Sequence, residues 1–521
     1  MDGKAELFLE EQSNAINQME LEVCLASWNA NVTGEKKFYK AEEEAHKKFN
    51  AFFSSKEGFE RVTQLISGAT AETTKRQLEL LRLSYLSAQT DIGLLNHSTE
   101  LGNAIEEAFN TYRAEIGGRQ VPDNEIKAIL RDSNDSAAVE EVWKASKRQG
   151  ERVVGKVLEL AKVRNDIARS LGFKNYADYS LSINEQSEQE VSTLLDELEK
   201  VTREPFRKLK GEIDTQLSIK FNVPLHELKP WHYGDLFFQE GPKLEGVDLD
   251  AIYGQKDIIK IIKQFYSDIG LEAGDILERS DMFEKPGKCQ HAFCTAIGRE
   301  GDVRILENVM NDESWTDTTL HELGHAVYEK YVARDLPFLL RSNAHTFITE
   351  AVAMVMGRLS KNPEFIKKYA GVEVSEEDKR RLHDSQKQRQ LVFARWVMTV
   401  YNFEKELYSN PDQDLNSKWW ELVGKYQMLD FKRDSPDWAS KIHIPCYPMY
   451  YHNYLLGEML ASQIDSSVKK EVSLEGLIHP GTGQFLKERL FSKGASMRWD
   501  KAIEQSFGEP LNPKYFVEAF V

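Results

Sequence analysis

The segment His321-Glu322-Leu323-Gly324-His325 constrains this 521-residue chain more than any other part of its sequence. It reads H-E-x-x-H and lies in residues 318–332, where apolar residues recur at the three- and four-residue spacing of an amphipathic helix. Side chains four residues apart share one helical face, so both imidazoles can bind one ion while the Glu322 carboxylate faces its open side. The pattern predicts a zinc site that activates water for hydrolysis.

The ends of this helix can also be predicted. Asp317 or Thr318 is a suitable N-cap, and Pro337 with the residue before it disfavours helix beyond Arg334. Gly324 in the interior costs about 1 kcal/mol relative to alanine. We therefore expect Gly324 to lie against another backbone or beside open space near the metal.

A catalytic zinc requires a third protein ligand, and Glu350 is the best candidate. It lies in an apolar segment, residues 346–356, where an unpaired carboxylate would be costly to bury. The intervening residues are enough for the first helix to end and a second to return antiparallel. Glu329 and Asp335 are the alternative ligands, and a salt-bridged structural acid is the alternative role for Glu350.

Composition excludes several classes of function. The net charge of −17 argues against nucleic acid as a partner, because binding of phosphates needs a basic face. No apolar run reaches the roughly 18 residues of a membrane span. The first residues lack the basic and apolar regions of a signal peptide, and four cysteines are few, so we expect a reducing, cytoplasmic location.

The chain is predicted to be mostly helical and, since no linker separates two blocks, to form one domain over residues 1–521. Ser187 and Glu190 form a capping box before a long helix, and two further helices are expected. Asp302–Val309 alternates as a strand does, after turn-like residues 298–301. It can either present its edge to an extended peptide or form a structural hairpin.

A second group of polar residues lies between Lys441 and Tyr454. Tyr447, Tyr451 and Tyr454 recur at spacings of four and three and would share a helical face. Such a stripe is more often core packing, but a zinc site also requires a distant donor for the oxyanion of amide hydrolysis. We favour the functional interpretation on that ground.

These residues together resemble the angiotensin-converting-enzyme family of peptidyl-dipeptidases and, more distantly, the thimet-oligopeptidase and thermophilic-carboxypeptidase families. The resemblance is carried by short segments spread over most of the chain: Ala26–Asn29, Cys289–Ala292, Asp302–Ile305, His321–His325, Asp335–Pro337, Glu350–Ala351, Trp419–Gln427 and Lys441–Pro445.

The resemblance implies an elongated, multi-helix molecule with a deep central cleft between two subdomains, a helical lid over about residues 1–100 and a short β-strand region beside the zinc helix. It implies one zinc ion per chain, with the following residues at the site: His321, His325 and Glu350 as ligands, Glu322 as general base, Tyr454 and His443 as catalytic donors, Lys441 and Tyr450 at the carboxylate of the peptide, and His291, Ala292 and Tyr447 as further substrate contacts.

The chain also departs from the family pattern. Met354 stands where the converting enzymes have an aspartate that orients a zinc histidine, so that role is lost or moved. Asn308 stands near the place of a cysteine that pairs with the equivalent of Cys289 in animal members. The tyrosine spacing is closer to the thimet pattern.

The expected function is hydrolysis of oligopeptides with release of C-terminal dipeptides. A broad oligoendopeptidase or metallocarboxypeptidase is the first alternative, and an inactive peptide-binding homologue is the second. The sequence gives no oligomeric state.

Overall fold

The computed structural model describes residues 2–242 and 246–521, and it is 70% helical with few short strands, which confirms the predicted fold class. The helices in chain order are α1 (Asp2–Thr33), α2 (Lys36–Phe53), α3 (Lys56–Ile66), α4 (Glu72–Ser87), α5 (Ile92–Thr111), α6 (Asp123–Asp132), α7 (Ser136–Ser170), α8 (Tyr176–Ile183), α9 (Glu188–Phe221), α10 (Leu249–Tyr253), α11 (Ile258–Asp268), α12 (Gly274–Arg279), α13 (Glu313–Tyr331), α14 (Thr346–Gly357), α15 (Pro363–Phe365), α16 (Glu376–Ser409), α17 (Leu415–Gln427), α18 (His443–Cys446), α19 (His452–Glu471), α20 (Thr482–Arg489), α21 (Trp499–Phe507) and α22 (Lys514–Phe520). The strands in the described residues are β1 (Ala114–Ile116), β2 (Arg119–Val121), β3 (Phe293–Ile297) and β4 (Asp302–Leu306).

The chain divides into two compact units. The first comprises the described residues of Met1–Gln89, Val247–Lys379 and Leu456–Phe516, and the second those of Thr90–Gly246, Arg380–Leu455 and Val517–Val521. Of the helices within the predicted lid, about residues 1–100, α1 to α4 belong to the first unit, whereas α5 belongs to the second. Four expectations concern the arrangement of the units and therefore stay predictions: the single domain, the elongated shape, the central cleft and the lid.

The zinc-motif helix α13 begins earlier than predicted. Its N-cap is Asp312, whose carboxylate accepts a hydrogen bond from the backbone N–H of Trp315 (2.7 Å). The expected start at Asp317 or Thr318 is therefore wrong by about one turn, because an equally good capping residue precedes them and the polar turn between is compatible with helix. Other predicted elements agree well, since the Ser187 side chain caps α9 by accepting from the Glu190 N–H (3.2 Å).

Helices α13 and α14 pack together in the first unit at very short range. The side chains of Leu320, Leu323 and Val327 are fully buried on α13. A Cβ atom added to Gly324 would lie 2.7 Å from the Cα atom of Ala353 on α14, closer than real Cβ contacts allow. The glycine therefore lies against another backbone, as the sequence predicted, and its low helix propensity is offset by this packing.

We expect Gly324→Ala to destabilise the protein by about 1–3 kcal/mol, because the added methyl group must push α13 away from α14. The measurement is the urea midpoint of unfolding of the full-length protein, monitored by circular dichroism. Gly155→Ala in α7 is the matched control, since nothing lies within 4 Å of a Cβ atom there and alanine favours helix. Equal midpoints for Gly324→Ala and the wild-type protein would contradict this account.

Strands β3 and β4 form an antiparallel hairpin across residues 298–301, with Phe293 opposite Leu306 and Ile297 opposite Asp302. The outer side of β4 is covered, because the Asp281 N–H donates to the Ile305 carbonyl (3.0 Å). In the described part of the chain β3 has no second strand partner. One edge of this hairpin is therefore open to pairing.

Strand β4 ends at Leu306 rather than at the predicted Val309, and a hydrogen bond holds the segment that follows. The Asn308 side-chain amide donates to the carbonyl of Cys289 (3.0 Å), at the place where the family resemblance implies a disulfide in animal members. All four cysteines, Cys24, Cys289, Cys294 and Cys446, are free thiols.

Among the described helices none is both long and apolar enough to cross a membrane.

Candidate metal centre and active site

The structure brings His321, His325 and Glu350 together in the first unit. The two histidines lie one turn apart on α13, and Glu350 projects from α14. Their Nε2 atoms are 3.6 Å and 3.7 Å from the same Oε2 atom of Glu350. One donor atom from each residue lies within 4.8 Å of the other two.

These distances fit a tetrahedral zinc ion. Zinc takes imidazole nitrogen and carboxylate oxygen at about 2.0–2.2 Å, which places neighbouring donors roughly 3.3–3.6 Å apart. The donor set, two imidazoles and one carboxylate, is that of a catalytic site with an open fourth position. Of the rival ligands, neither Glu329 nor Asp335 belongs to the three-residue group.

Thr349 orients His325. Its Oγ1 atom is 2.7 Å from the Nδ1 atom of His325, which leaves Nε2 of the same ring for the metal. With Nε2 as the ligand atom, Nδ1 carries the ring proton and donates a hydrogen bond to the threonine hydroxyl. Thr349 therefore orients one of the predicted zinc histidines, which Met354 cannot do in place of the family's aspartate.

We expect Thr349→Val to lower zinc affinity about 10- to 100-fold, because the imidazole of His325 loses the acceptor that fixes its orientation. Competition with a chelator of known affinity measures this directly on the purified protein. Thr349→Ser keeps the hydroxyl and serves as the matched control. The assignment fails if the valine and serine variants bind zinc with equal affinity.

The Glu322 carboxyl lies among other acids and away from water. Burial raises its pKa to about 8, assisted by the negative charges of Glu307 and Glu350, while a backbone hydrogen bond from Cys294 acts in the opposite direction. Glu307 is fully buried, and burial raises its own pKa to about 8, although Thr319 donates to one of its oxygens (2.7 Å). A divalent cation beside these groups favours the ionised form of Glu322 that general-base catalysis requires.

The metal-binding group opens onto a cavity of about 540 Å³. The walls include β3 and the preceding Ala292, together with Glu322 and Glu329 from α13. His291, also predicted to contact substrate, is exposed and does not line this cavity. The open edge of β3 therefore lies beside the predicted ligands and general base.

The other predicted substrate residues belong to the second unit, where Lys441 is buried among aromatic rings. Its ammonium group donates to the Oε1 atom of Gln239 (2.6 Å) and lies 5.2 Å from the centroid of Trp396 and 5.3 Å from that of Tyr451. Burial lowers the pKa of Lys441 to about 8, although the negative charges of Asp235 and Glu240 raise it in part. In the described residues it has no carboxylate within ion-pair distance, so its charge is available for an anionic group.

The tyrosines form no continuous helical stripe, which corrects that prediction. Helix α18 ends at Cys446, and Met449 has a left-handed backbone (φ 52°), so Tyr447 precedes the next helix and is 55% exposed. The His443 ring instead contacts Tyr447 (5.5 Å between centroids) and Tyr451 (5.0 Å), while Tyr454 contacts Tyr450 (5.3 Å). Burial lowers the pKa of His443 to about 4, so its imidazole is neutral at pH 7.

Sequence reasoning missed three residues of these sites: Thr349, Glu307 and Gln239. Each acts through a contact to a distant part of the chain, and threonine, glutamate and glutamine carry no spacing signal of their own. Only Glu307 offered a hint, because a glutamate directly follows the apolar residues of β4.

Comparison with known proteins agrees with this geometry. The sequence model of peptidase family M3 matches residues 277–521, and that of angiotensin-converting enzyme matches residues 2–226. Angiotensin-converting enzyme of Theromyzon tessulatum is 22% identical over 473 residues, which cover 80% of this chain and 76% of that protein. Carboxypeptidase 1 of Bacillus subtilis (strain 168) is 25% identical over 258 residues, 44% of this chain and 51% of that protein.

An inactive angiotensin-converting enzyme-related protein of Caenorhabditis elegans is 26% identical over 208 residues, 36% of this chain and 22% of that protein. Taken together, the matches support a metallopeptidase that acts on peptides. Within that class they confirm the predicted resemblance to the angiotensin-converting-enzyme-like gluzincins, whose two matching families are zinc-dependent.

Proposed function

We propose that this chain is a zinc-dependent peptidase that hydrolyses oligopeptides and releases dipeptides from their carboxyl ends. The observation that carries the proposal is the convergence of His321, His325 and Glu350 within 4.8 Å beside Glu322. Two imidazoles and a carboxylate with an open position are the donor set of hydrolytic zinc. The adjacent acid is the group that such hydrolysis requires as a base.

The residues of the chain have the following proposed roles in the reaction. The open edge of β3 pairs with the extended backbone of the peptide and places its carbonyl beside Glu322. Glu322 takes a proton from the attacking water and delivers it to the leaving amine nitrogen. A zinc ion held by the three ligands supplies a Lewis acid that lowers the pKa of water and polarises the carbonyl.

The family resemblance assigns four further residues to the proposed chemistry. Tyr454 and the neutral imidazole of His443 donate hydrogen bonds to the oxyanion that forms during attack. Lys441 and Tyr450 bind the terminal carboxylate of the peptide in this proposal. A buried ammonium with no carboxylate within ion-pair distance supports this role, because Asp235 and Glu240 stabilise its charge only from farther away.

A broader oligopeptidase is the second candidate, because the M3 model covers residues 277–521 and includes all the proposed ligands. The test is mass spectrometry of a defined ten-residue peptide after incubation with the protein, with and without chelator. Release of two-residue C-terminal fragments supports the first proposal. Internal cleavage supports the second, single-residue release indicates a carboxypeptidase, and no cleavage with zinc present overturns both.

Replacing Glu322 with glutamine should lower the turnover number by about 10²- to 10⁴-fold, since the amide cannot accept the proton of water. Zinc content, measured by elemental analysis, should stay at the wild-type value because the three ligands are retained. His321→Ala is the comparison that should lose both zinc and turnover. Normal turnover in Glu322→Gln would show that another group is the base.

The charge of Lys441 should give kcat/KM an alkaline limb near pH 8. The ammonium is present below its pKa and is lost as pH rises through about 8, so binding of a free C-terminal carboxylate weakens above that pH. Lys441→Arg keeps a charge at all accessible pH values and should move this limb upward. An unchanged limb in the arginine variant would assign it to a different group.

A further inference from the structure

Glu329 lies one turn beyond His325 on α13, and nothing in the proposed reaction uses it. Its half-buried side chain lines the same cavity as the metal-binding group and the edge of β3. A peptide that pairs with β3 in this cavity would bring one of its side chains towards this carboxylate.

The Glu329 carboxylate accepts its hydrogen bonds from the neutral residue Asn343, and the charges of Arg299 and Arg334 act on it from beyond ion-pair distance. The Asn343 amide donates to its Oε1 atom (2.7 Å), and no lysine or arginine of the described residues lies within ion-pair distance of it. The nearest arginines are engaged elsewhere: Arg334 donates to the backbone carbonyls of Arg299 (3.0 Å) and Glu329 (2.9 Å), and Arg299 pairs with Glu20 (3.0 Å).

Charge balance distinguishes Glu329 from the other acids of the cavity. Three carboxylates line it, those of Glu322, Glu329 and Glu350, while the lining residues include no lysine or arginine. Two of these have proposed roles at the metal site, Glu350 as a ligand and Glu322 as the base. The third, Glu329, has no cation within ion-pair distance, and burial raises its pKa while Asn343 and the more distant charges of Arg299 and Arg334 act in the opposite direction.

We propose that Glu329 is a specificity-determining residue that binds the lysine or arginine side chain of a substrate peptide beside the scissile bond. The proposal rests on the proposed peptidase function. A long cationic side chain can reach the carboxylate from an extended backbone on β3, and the free energy of that ion pair is gained only with a basic residue. The net charge of −17 also attracts cationic peptides.

The experiment uses zinc-loaded full-length protein and a family of acetylated eight-residue peptides with free carboxyl ends. Each position near the scissile bond carries lysine, arginine, norleucine or glutamine in turn, and acetylation removes the terminal ammonium as an alternative cation. At one position we expect kcat/KM to be about 10- to 100-fold higher for lysine or arginine than for norleucine.

In Glu329→Gln that ratio should fall to about 1, and in Glu329→Asp, which keeps the charge, it should stay above that of the glutamine variant. Glu278→Gln removes an exposed acid of the same unit outside the cavity and should leave the ratio unchanged. A wild-type protein without the preference overturns the proposal, as does a preference that survives in Glu329→Gln.

Binding separates this proposal from the peptidase function. Glu322→Gln should bind the lysine peptide more tightly than the norleucine peptide in calorimetry, and adding Glu329→Gln should abolish the difference. If no peptide is hydrolysed but this difference in Kd is found, the peptidase proposal fails while the role of Glu329 holds. Equal Kd values for both peptides overturn the role of Glu329 whatever the turnover.

Discussion

The close approach of two backbones holds the predicted metal centre together. Gly324 allows α13 to pack so closely on α14 that a single added carbon would lie 2.7 Å from the Cα atom of Ala353. This spacing brings Glu350 within 3.7 Å of both histidine rings. A third small residue, Gly457, lies against the other side of α14, where a Cβ atom would meet Glu350 at 3.4 Å. The close packing of these helices therefore helps to set the positions of the ligands.

Burial gives the site its chemical character. A carboxylate withdrawn from water favours its protonated form, and Glu322, Glu307 and Glu350 each have a raised pKa for this reason first. The same burial strengthens their interaction with any cation that enters, because the surroundings screen charge weakly. Burial of these carboxylates costs free energy without a metal, and a bound cation would offset that cost. The hydroxyl of Thr349 completes it by fixing the tautomer of His325 without adding another negative charge.

Sequence predicted those features that depend on local geometry. The pairing of His321 with His325 follows from helix periodicity alone, and Glu350 was identified because a lone acid in an apolar helix needs a partner. Thr349 could not be found this way, since its contact joins two helices and its residue type is common at any position. The start of α13 was missed because Asp312 and Asp317 are equally good caps and only tertiary packing selects between them. The tyrosine stripe failed because the left-handed turn at Met449 interrupts the helix that its spacing required.

Pairing of a peptide with the edge of β3, as proposed above, would restrict the kind of chain that this protein can act on. Alternate residues of this five-residue edge point main-chain groups outward, where they can pair with a partner whose own amides are unoccupied, although the Cys294 N–H already contacts Glu322. A natively folded protein has already committed those amides, and a proline removes one altogether. Recognition of this kind therefore selects short or unfolded segments over compact proteins, and it disfavours segments rich in proline.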